Sequence, residues 1–498
     1  MNAERNAGKL IIVSNRLPIV INDSGDGWEV KSGSGGLVTA MAPVLRNRGG
    51  YWIGWPGVAG SEEDIPQSLF DEAMEDSGYN LRGVYLEEEE LDNYYYGFSN
   101  EVLWPLFHDL QSRCNFEPKY WETYRKVNAK FAAKVAEIAG EDDFIWIHDY
   151  HLLTAARELR KLGVKSKTAF FLHIPFPPMD IFLKLPWRFQ ILEAMLDYDL
   201  LGFQTARDRR NFVQCVRRLI RNSRVHGRGQ VLTAKTPERE LRIGAFSISI
   251  DFREFERLAE SEEVANRAWY IHEDLPNRSI ILGVDRLDYT KGIPERLKAY
   301  RMALERYPDL RGKITLVQVV VPSRTNVPEY QALKEEIERL SGEINGQFTF
   351  SGWVPIHYVF RSLDREELLA YYRTAEIALV TPLKDGMNLV SKEYCASNIE
   401  ENGVLILSEF AGAVPELEPG AILTNPHDIV ETADAIHRAL EMPMEERRER
   451  MSQMRRVVRK NDVFRWVDSF LKGAFAADLK SFPLIRDYVP EDTEEREE

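Results

Sequence analysis

Two α/β domains, each built on a parallel sheet, are what this sequence predicts, on three observations. At 498 residues the chain is too long for one ordinary hydrophobic core. Short apolar runs of strand type alternate with amphipathic helical stretches through both halves, the pattern of β-α-β units rather than of hairpins. Those runs end in polar turns, and the ligands of a parallel sheet gather at the carboxyl ends of its strands. The series restarts after Phe246-Ser247-Ile248-Ser249-Ile250-Asp251, so the domains meet near residue 250.

In the first half, Leu10 to Val13 is a buried-type strand that ends in Ser14-Asn15-Arg16-Leu17-Pro18. Ser32-Gly33-Ser34-Gly35-Gly36-Leu37 is a glycine-rich turn running into an apolar helix, Val38 to Leu45. Glycines let backbone amides approach an anion closely, so this turn resembles a phosphate-cradling loop. It is neither a dinucleotide fingerprint, whose third glycine would fall at Val38, nor a P-loop, since no lysine followed by serine or threonine closes it. Structure and function stay equally open there. Asp143 to Ile147 and Ala169 to Leu172 are strand-like, ending in His148-Asp149-Tyr150-His151 and His173-Ile174-Pro175-Phe176-Pro177, with a helix at Leu152 to Lys161 between them. Asp149 and His173 therefore occupy strand ends. A metal would have to use His148, His151 and His173, but the i, i+3 pair straddles a strand end and no further ligand stands nearby, so they read as core or hydrogen-bonded histidines. Arg207, Arg209, Arg210, Arg217, Arg218, Arg221, Arg224 and Arg228 crowd one stretch, with Phe212, Cys215, Val216 and Leu219 at helical spacing between them. They read as the wet face of an amphipathic helix rather than a nucleic-acid site, since no nucleic-acid fold accompanies them.

In the second half, Ser279 to Val284, Ile314 to Val321, Ile377 to Val380 and Val404 to Leu407 are strand-like, and a helix over about Val327 to Leu340 puts Tyr330, Leu333, Ile337 and Leu340 on one stripe. The first strand leads into Asp285-Arg286-Leu287-Asp288-Tyr289-Thr290-Lys291-Gly292. Arg286 and Lys291 on that loop could neutralise a diphosphate, or form a surface ion-pair loop with Asp285 and Asp288. After Ile377 to Val380 comes Thr381 to Tyr394, in which Asp385-Gly386 makes a turn and Met387 to Ala396 has helical composition. A helix starting there points unpaired N–H groups and the positive end of its dipole at the sheet edge, which suits a diphosphate. Asp385 at the mouth of the turn and Glu393 about 12 Å along the helix could hold the hydroxyls of a sugar and of a ribose. Read singly, Asp385 makes a turn and Glu393 is a solvated helix residue.

Composition narrows the function classes. A net charge of −15 and a pI near 5.3 disfavour a broad nucleic-acid or anionic-membrane surface, so an anionic substrate needs a local cationic pocket. The longest apolar runs fall short of a membrane span. The polar segment Met1 to Lys9 lacks a signal-peptide pattern, which predicts a cytoplasmic location. Cys114, Cys215 and Cys395 form no spaced pair, so neither a disulfide framework nor a cysteine zinc site is expected, and Cys395 should pack as a small apolar residue.

With these motifs in order, the chain resembles the trehalose-6-phosphate synthases, retaining glycosyltransferases of the GT-B type with two Rossmann-like domains facing a central cleft. The resemblance runs from about Leu10 to Leu471 and rests on Ser14-Asn15-Arg16, Gly35-Gly36, Trp52-Ile53-Gly54-Trp55, Tyr94-Tyr95, Phe98-Ser99-Asn100, Leu103-Trp104-Pro105, His148 to Leu153, His173 to Pro177, Arg286 to Gly292, and Asp385-Gly386-Met387-Asn388-Leu389-Val390 with Lys392-Glu393-Tyr394. It implies that Arg286 and Lys291 grip the donor diphosphate, that Asp385 and His173 hold the donor glucose, and that Glu393 holds the ribose. Gly36 and the stretch Gly386, Met387, Asn388, Leu389 and Val390 complete the donor site. Arg16, Trp55, Tyr95, Trp104, Asp149 and Arg324 are implied to receive glucose 6-phosphate, with Arg286, Lys291, Asp149, His173 and Asp385 as the catalytic group.

The implied reaction moves glucose from a nucleotide-glucose, UDP-glucose first among them, to glucose 6-phosphate with retention, with no cofactor, no metal and no covalent glycosyl-enzyme. Domains are expected at 1–248 (acceptor), 249–460 (donor), 461–485 (a C-terminal helix packing back on the first domain) and 486–498 (an acidic, disordered tail). The partners are the two small molecules, with neither nucleic acid nor membrane, and a homo-oligomer is possible. A glucosylglycerol-phosphate synthase and a non-catalytic sugar-phosphate sensor are the competing readings, and the sequence does not discriminate the nucleotide base.

Overall fold

The computed structural model describes residues 8–23, 28–32, 38, 41, 42, 44–46, 49–62, 65, 68–71, 78–324, 327–479, 482, 483 and 488–490. Gly36 and the glycine turn lie outside them, as do Thr39, Ala40 and Pro43 of the expected helix from Val38 to Leu45, whose other residues are helical, and most of the acidic tail. The described chain forms two compact units. One runs to Ile248 and includes the stretch from Phe464; the other holds Ser249–Val463 and residues 488–490.

The first unit's strands are β1 (Leu10–Arg16), β2 (Ile19–Asp23), β3 (Trp28–Ser32), β4 (Tyr51–Trp55), β5 (Asn80–Gly83), β6 (Phe144–His148), β7 (Lys167–Leu172), β8 (Leu200–Phe203), β9 (Arg224–His226), β10 (Val231–Lys235) and β11 (Glu240–Ala245). Among the described residues β2 and β3 form a separate hairpin, while the others make one sheet in the order β5-β4-β1-β6-β7-β8-β11-β10-β9. Its central strands are parallel and buried on both faces, as near-continuous apolar runs such as Leu10 to Val13 require.

One edge departs from the parallel expectation. The arginine-rich run is not a single helix: the helix Ala206–Leu219 buries Phe212, Cys215 and Val216, and Arg224 then lies in β9, an antiparallel edge strand. The expected helix from Leu152 starts later, at Ala155, because Tyr150–Leu152 forms a tighter turn after Asp149, whose φ is +74°. The C-terminal helix Val463–Phe475 supplies the outer layer of this unit, with Phe470 stacked on Trp146 at 4.2 Å and Trp466 edge-on to Phe171 at 5.1 Å.

In the second unit, β12 (Ser279–Arg286), β13 (Ile314–Val321), β14 (Ile356–Val359), β15 (Ile377–Val380), β16 (Val404–Ser408) and β17 (Ile422–Thr424) form a wholly parallel sheet in the order β14-β13-β12-β15-β16-β17. The loops after β13, β12 and β15 therefore leave the same sheet edge side by side. The helix expected to end at Leu340 runs on, Pro328–Phe348, because Ser341, Ile344 and Phe348 extend its buried stripe while Gly342 and Gly346 face open space. The helix expected from Met387 begins at Leu389, for reasons that belong to the site.

Candidate active site

In the first unit the site grows from register. β1 and β4 run parallel with Arg16 opposite Trp55, and the Leu17 amide donates to the Trp55 carbonyl at 2.9 Å. Arg16 thus lies with its guanidinium 4.7 Å from the Trp55 ring and 5.8 Å from Tyr95, a cation held on aromatic faces and, among the described residues, in no ion pair. Ser14 and Asn15 anchor the turn from beneath: Ser14 Oγ accepts from the Trp52 indole and Asn15 Oδ1 from the Tyr94 hydroxyl. Tyr95 belongs to Leu91–Leu103, a wide helix whose bonds run i to i+5, as in the Trp104 amide donating to the Ser99 carbonyl. Rings then connect the residues without a break, Tyr95 stacking on His151 at 5.9 Å, His151 tilted against Tyr150 at 4.0 Å, and Tyr150 tilted against Trp104 at 5.6 Å. Asp149 opens this loop, its amide bonded to the Phe171 carbonyl and its Oδ1 accepting from the His173 amide at 3.3 Å. The structure accordingly gathers Arg16, Trp55, Tyr95, Trp104, Asp149 and His173 at the carboxyl edge of β1, β4, β6 and β7.

His148, read from the sequence as a core or hydrogen-bonded histidine, closes β6 and is wholly buried. Its Nδ1 lies 3.1 Å from His173 Nε2. Burial pushes both imidazoles below their usual range, His173 to about 3. The signal for this contact was two histidines at the ends of neighbouring strands.

In the second unit the loops after β12 and β15 are sewn together. The Leu383 amide donates to the Thr290 carbonyl, and Gly292 sits at φ +64° so close to the Thr381 carbonyl that a Cβ would lie 2.4 Å from it. Lys291 thereby meets Asp385, Nζ to Oδ2 at 2.5 Å. Asp385 Oδ1 in turn accepts from the amides of Met387 and Asn388, and Asn388, in the left-handed region at φ +55°, caps the helix Leu389–Ser397 through its bond from the Ser391 amide. That is why the helix starts two residues late. It also narrows the amides that could meet an anion: at this helix N-terminus Leu389 and Val390 are those with no partner among the described residues.

Asp288 gathers the other cations. Its carboxylate lies 3.7 Å from Arg286 and 3.9 Å from Arg324, so Arg324 has a carboxylate in space where the sequence shows none beside it. Burial alone would raise this carboxyl, but Arg286, Arg324, Lys291 and the Thr290 amide outweigh it and hold it below the usual carboxylate range. The surface ion-pair loop considered for Arg286 and Lys291 is half right. Arg286 is half-exposed beside Asp288, whereas Asp285 pairs with the buried Arg296 and Lys291 with Asp385. Arg324, at φ +49°, also bonds the Tyr330 hydroxyl and lies 5.4 Å from its ring. Glu393 sits partly buried with Tyr372 donating to it at 2.9 Å, and packing raises its carboxyl. Lys392 is fully buried against Glu416, a structural cation. Cys395 is buried, as expected.

Two other features lie at the opposite, amino edge of this sheet. A cavity of about 590 Å³ is lined by His272, Arg278, Lys313, Glu376 and Glu441 among others. Asp309, His437 and Glu441 form the group close enough to hold an ion among the described residues, and Lys313 already pairs with Asp309. Neither touches the loops above.

Two α/β units, one bringing arginines, a lysine and carboxylates together on the loops at the carboxyl ends of a parallel sheet and the other an arginine flanked by aromatic rings, have the architecture of a GT-B glycosyltransferase. The chain belongs to glycosyltransferase family 20, whose model matches residues 8–475. It is 44% identical over 475 residues to the trehalose-6-phosphate synthase of Mycolicibacterium vanbaalenii, covering 94% of this chain and 96% of that one. It is similar to the crystal structure of a UDP-forming alpha,alpha-trehalose-phosphate synthase from Burkholderia xenovorans in complex with glucose-6-phosphate, at TM-score 0.85 and 38% identity, covering 94% and 100% of the two chains. An E. coli structure bound with UDP-2-fluoro glucose matches at TM-score 0.84 and 39% identity, covering 94% and 99%. Among the described residues no helix is long and apolar enough to cross a membrane.

Proposed function

We propose that this chain transfers glucose from UDP-glucose to the anomeric hydroxyl of glucose 6-phosphate, giving α,α-trehalose 6-phosphate and UDP with retention at the transferred sugar. The observation that carries the reading is the joined loop pair after β12 and β15, where Lys291, Arg286, Asp385 and the amides of Leu389 and Val390 share one sheet edge. Relatives bound to glucose-6-phosphate and to UDP-2-fluoro glucose support the choice of substrates.

In this reading the bond between the glucose C1 and the diphosphate breaks as the acceptor oxygen bonds to C1 from the same face, and the acceptor's proton passes to a phosphate oxygen. Lys291 and Arg286 offset the charge that grows on the leaving diphosphate. Asp385 and His173 hold the glucose, Glu393 takes the ribose, Asp149 positions the acceptor hydroxyl, and Arg16 and Arg324 take the acceptor phosphate, with Trp55, Tyr95 and Trp104 around the sugar. Gly36 offers a backbone amide. No side chain acts as nucleophile and no metal is obligatory, because cations and amides already face the diphosphate. Both substrates are anionic metabolites that do not cross a bilayer, which supports a cytoplasmic location.

The test is incubation of chelator-treated protein with UDP-, ADP- and GDP-glucose against glucose 6-phosphate and glycerol 3-phosphate, with products identified by NMR. Nucleotide release with an α,α-linked disaccharide phosphate is expected. A glycerol product, a β linkage, binding without nucleotide release, or activity that returns only with a divalent ion would each overturn part of the reading.

A further inference from the structure

We propose that Tyr372 is a positioning residue for Glu393: its buried hydroxyl donates to Oε2 and fixes the plane of the carboxylate, so that Oε1 meets the hydroxyls of the donor's ribose. The inference rests on the reading that Glu393 takes the ribose. Tyr372 belongs to the helix Arg365–Thr374 and Glu393 to the helix Leu389–Ser397, both in the second unit. Two hydroxyls tie these helices together in opposite directions. Tyr372 of the first donates to Glu393 of the second at 2.9 Å, and Tyr394 of the second donates at 3.0 Å to the Ala375 carbonyl just beyond the first. Both tyrosines are buried, at 1% and 0% exposure, so in a close-packed interior neither ring can swing to follow a glutamate that moves away.

Burial pushes the Tyr372 hydroxyl well above its usual range, so it keeps its proton and donates, whereas an ionised carboxylate only accepts. Burial also raises the Glu393 carboxyl, and the hydrogen bond from Tyr372 opposes that rise. Oε2 is thereby engaged. Oε1 has no hydrogen-bond partner among the described residues, and Glu393 is only partly buried, so a ligand can reach that second oxygen. The neighbouring cations are spoken for. Lys392 turns to Glu416, and Arg365, whose charge Glu393 feels, pairs with Glu254 at 3.0 Å. A ribose presents two adjacent hydroxyls on one face, and a carboxylate accepts from both only when its plane is turned towards them. A glutamate ordered only on binding gives up rotamer freedom at that moment, whereas one already held by Tyr372 does not.

The variant Tyr372→Phe keeps the ring and removes one oxygen. Its effect is read by titration calorimetry with UDP and with a UDP whose ribose lacks both hydroxyls (dideoxy-UDP), beside initial rates with UDP-glucose and glucose 6-phosphate. UDP should bind about 10-fold more weakly, the scale of one hydrogen bond to a charged group, whereas dideoxy-UDP should bind as it does to the wild-type chain. The KM for UDP-glucose should rise by the same factor, with less change in kcat and none in the KM for glucose 6-phosphate. Lost packing alone would weaken both nucleotides alike. Replacing Tyr372 with para-aminophenylalanine, which returns an N–H donor at the end of the ring, should recover most of the UDP affinity. Equal weakening of both nucleotides, no recovery with the amino analogue, or a phenylalanine variant that binds UDP at full strength would each overturn the proposal. If Tyr372→Phe does not fold, a crystal structure of the wild-type chain with UDP decides alone: Tyr372 should still donate to a Glu393 that meets the ribose, and a Glu393 released from Tyr372 refutes the positioning. Glu393→Ala keeps the two failures apart. An unchanged preference for UDP over dideoxy-UDP would sink the role of Glu393, whereas a lost preference beside full UDP binding by Tyr372→Phe would sink the positioning alone.

Discussion

Asp288 shows how little a short sequence interval says about a side chain's company. It stands two residues from Arg286 and looks like half of a surface pair, yet it is 1% exposed and also faces Arg324. The cations of this site each lie beside a carboxylate, Arg286 and Arg324 beside Asp288 and Lys291 beside Asp385, company that the proposed diphosphate would replace in part. Lys291→Ala and Arg286→Ala should therefore cost mainly turnover, by about 10²-fold or more, because their charge opposes one that grows in the transition state. Initial-rate kinetics check this, and unchanged turnover in either variant would remove the leaving-group role. Arg324→Ala should instead raise the KM for glucose 6-phosphate while free glucose stays as poor an acceptor as before; equal damage to both acceptors would show that Arg324 does not read the phosphate. The residue types and their strand-end positions were legible, since Arg16, Asp149, His173, Arg286, Lys291 and Asp385 each close or follow a strand. Their partners were not. Lys291 with Asp385 and Arg324 with Asp288 are contacts across the fold, set by which strands neighbour each other.

At the scale of elements, helix starts and stops were the least legible feature, and each miss has a local cause. Glycines at 342 and 346 suggest an end, but they lie on the open side of a helix whose apolar stripe continues. At Met387 a good helix former is kept out of the helix because its amide already belongs to Asp385. Asn388 carries that junction, supplying both a left-handed backbone and the cap. Asn388→Ala should lose about 0.5–2 kcal/mol for the cap, and a further fraction of the roughly 1–2 kcal/mol left-handed penalty because alanine lacks the polar side chain that makes this conformation tolerable for asparagine, read as a lower midpoint in denaturant titration. Asn388→Gly keeps the backbone and should lose distinctly less; equal losses would show that the conformation contributes nothing. The backbone of this turn is also pressed from the other side. A Cβ at Gly412 would fall 1.8 Å from the Gly386 carbonyl oxygen, so the turn that holds Asp385 is clamped between a capped helix and the loop after β16.

For the molecule as a whole, His148 and His173 make the first unit sensitive to acid. Both are depressed in the folded chain, from about 6.5 when exposed, so the unfolded chain binds the extra protons as pH falls. Their stabilising effect is complete above about pH 6.5 and is lost as the pH falls below it, for His173 on going down towards about 3, at up to about 1.4 kcal/mol per pH unit for each ring. Denaturant titrations between pH 7 and 5 should show that slope, and His148→Phe should remove about half of the histidine part; a wild-type chain with flat stability across this range would refute it. The same unit is also completed in an unusual order. Trp146 and Phe171 wait for Trp466 and Phe470, which leave the ribosome only after Ser249–Val463 of the second unit. At about 5–20 residues per second the interval from Ile248 to Phe470 takes on the order of 10–45 s. Throughout it the nascent first unit shows an uncovered aromatic face, the kind of surface that chaperones hold and that drives aggregation when they do not. A message truncated anywhere before Val463 would thus release a chain with that face permanently open, and its product should be a substrate for proteolysis rather than a dormant half-enzyme.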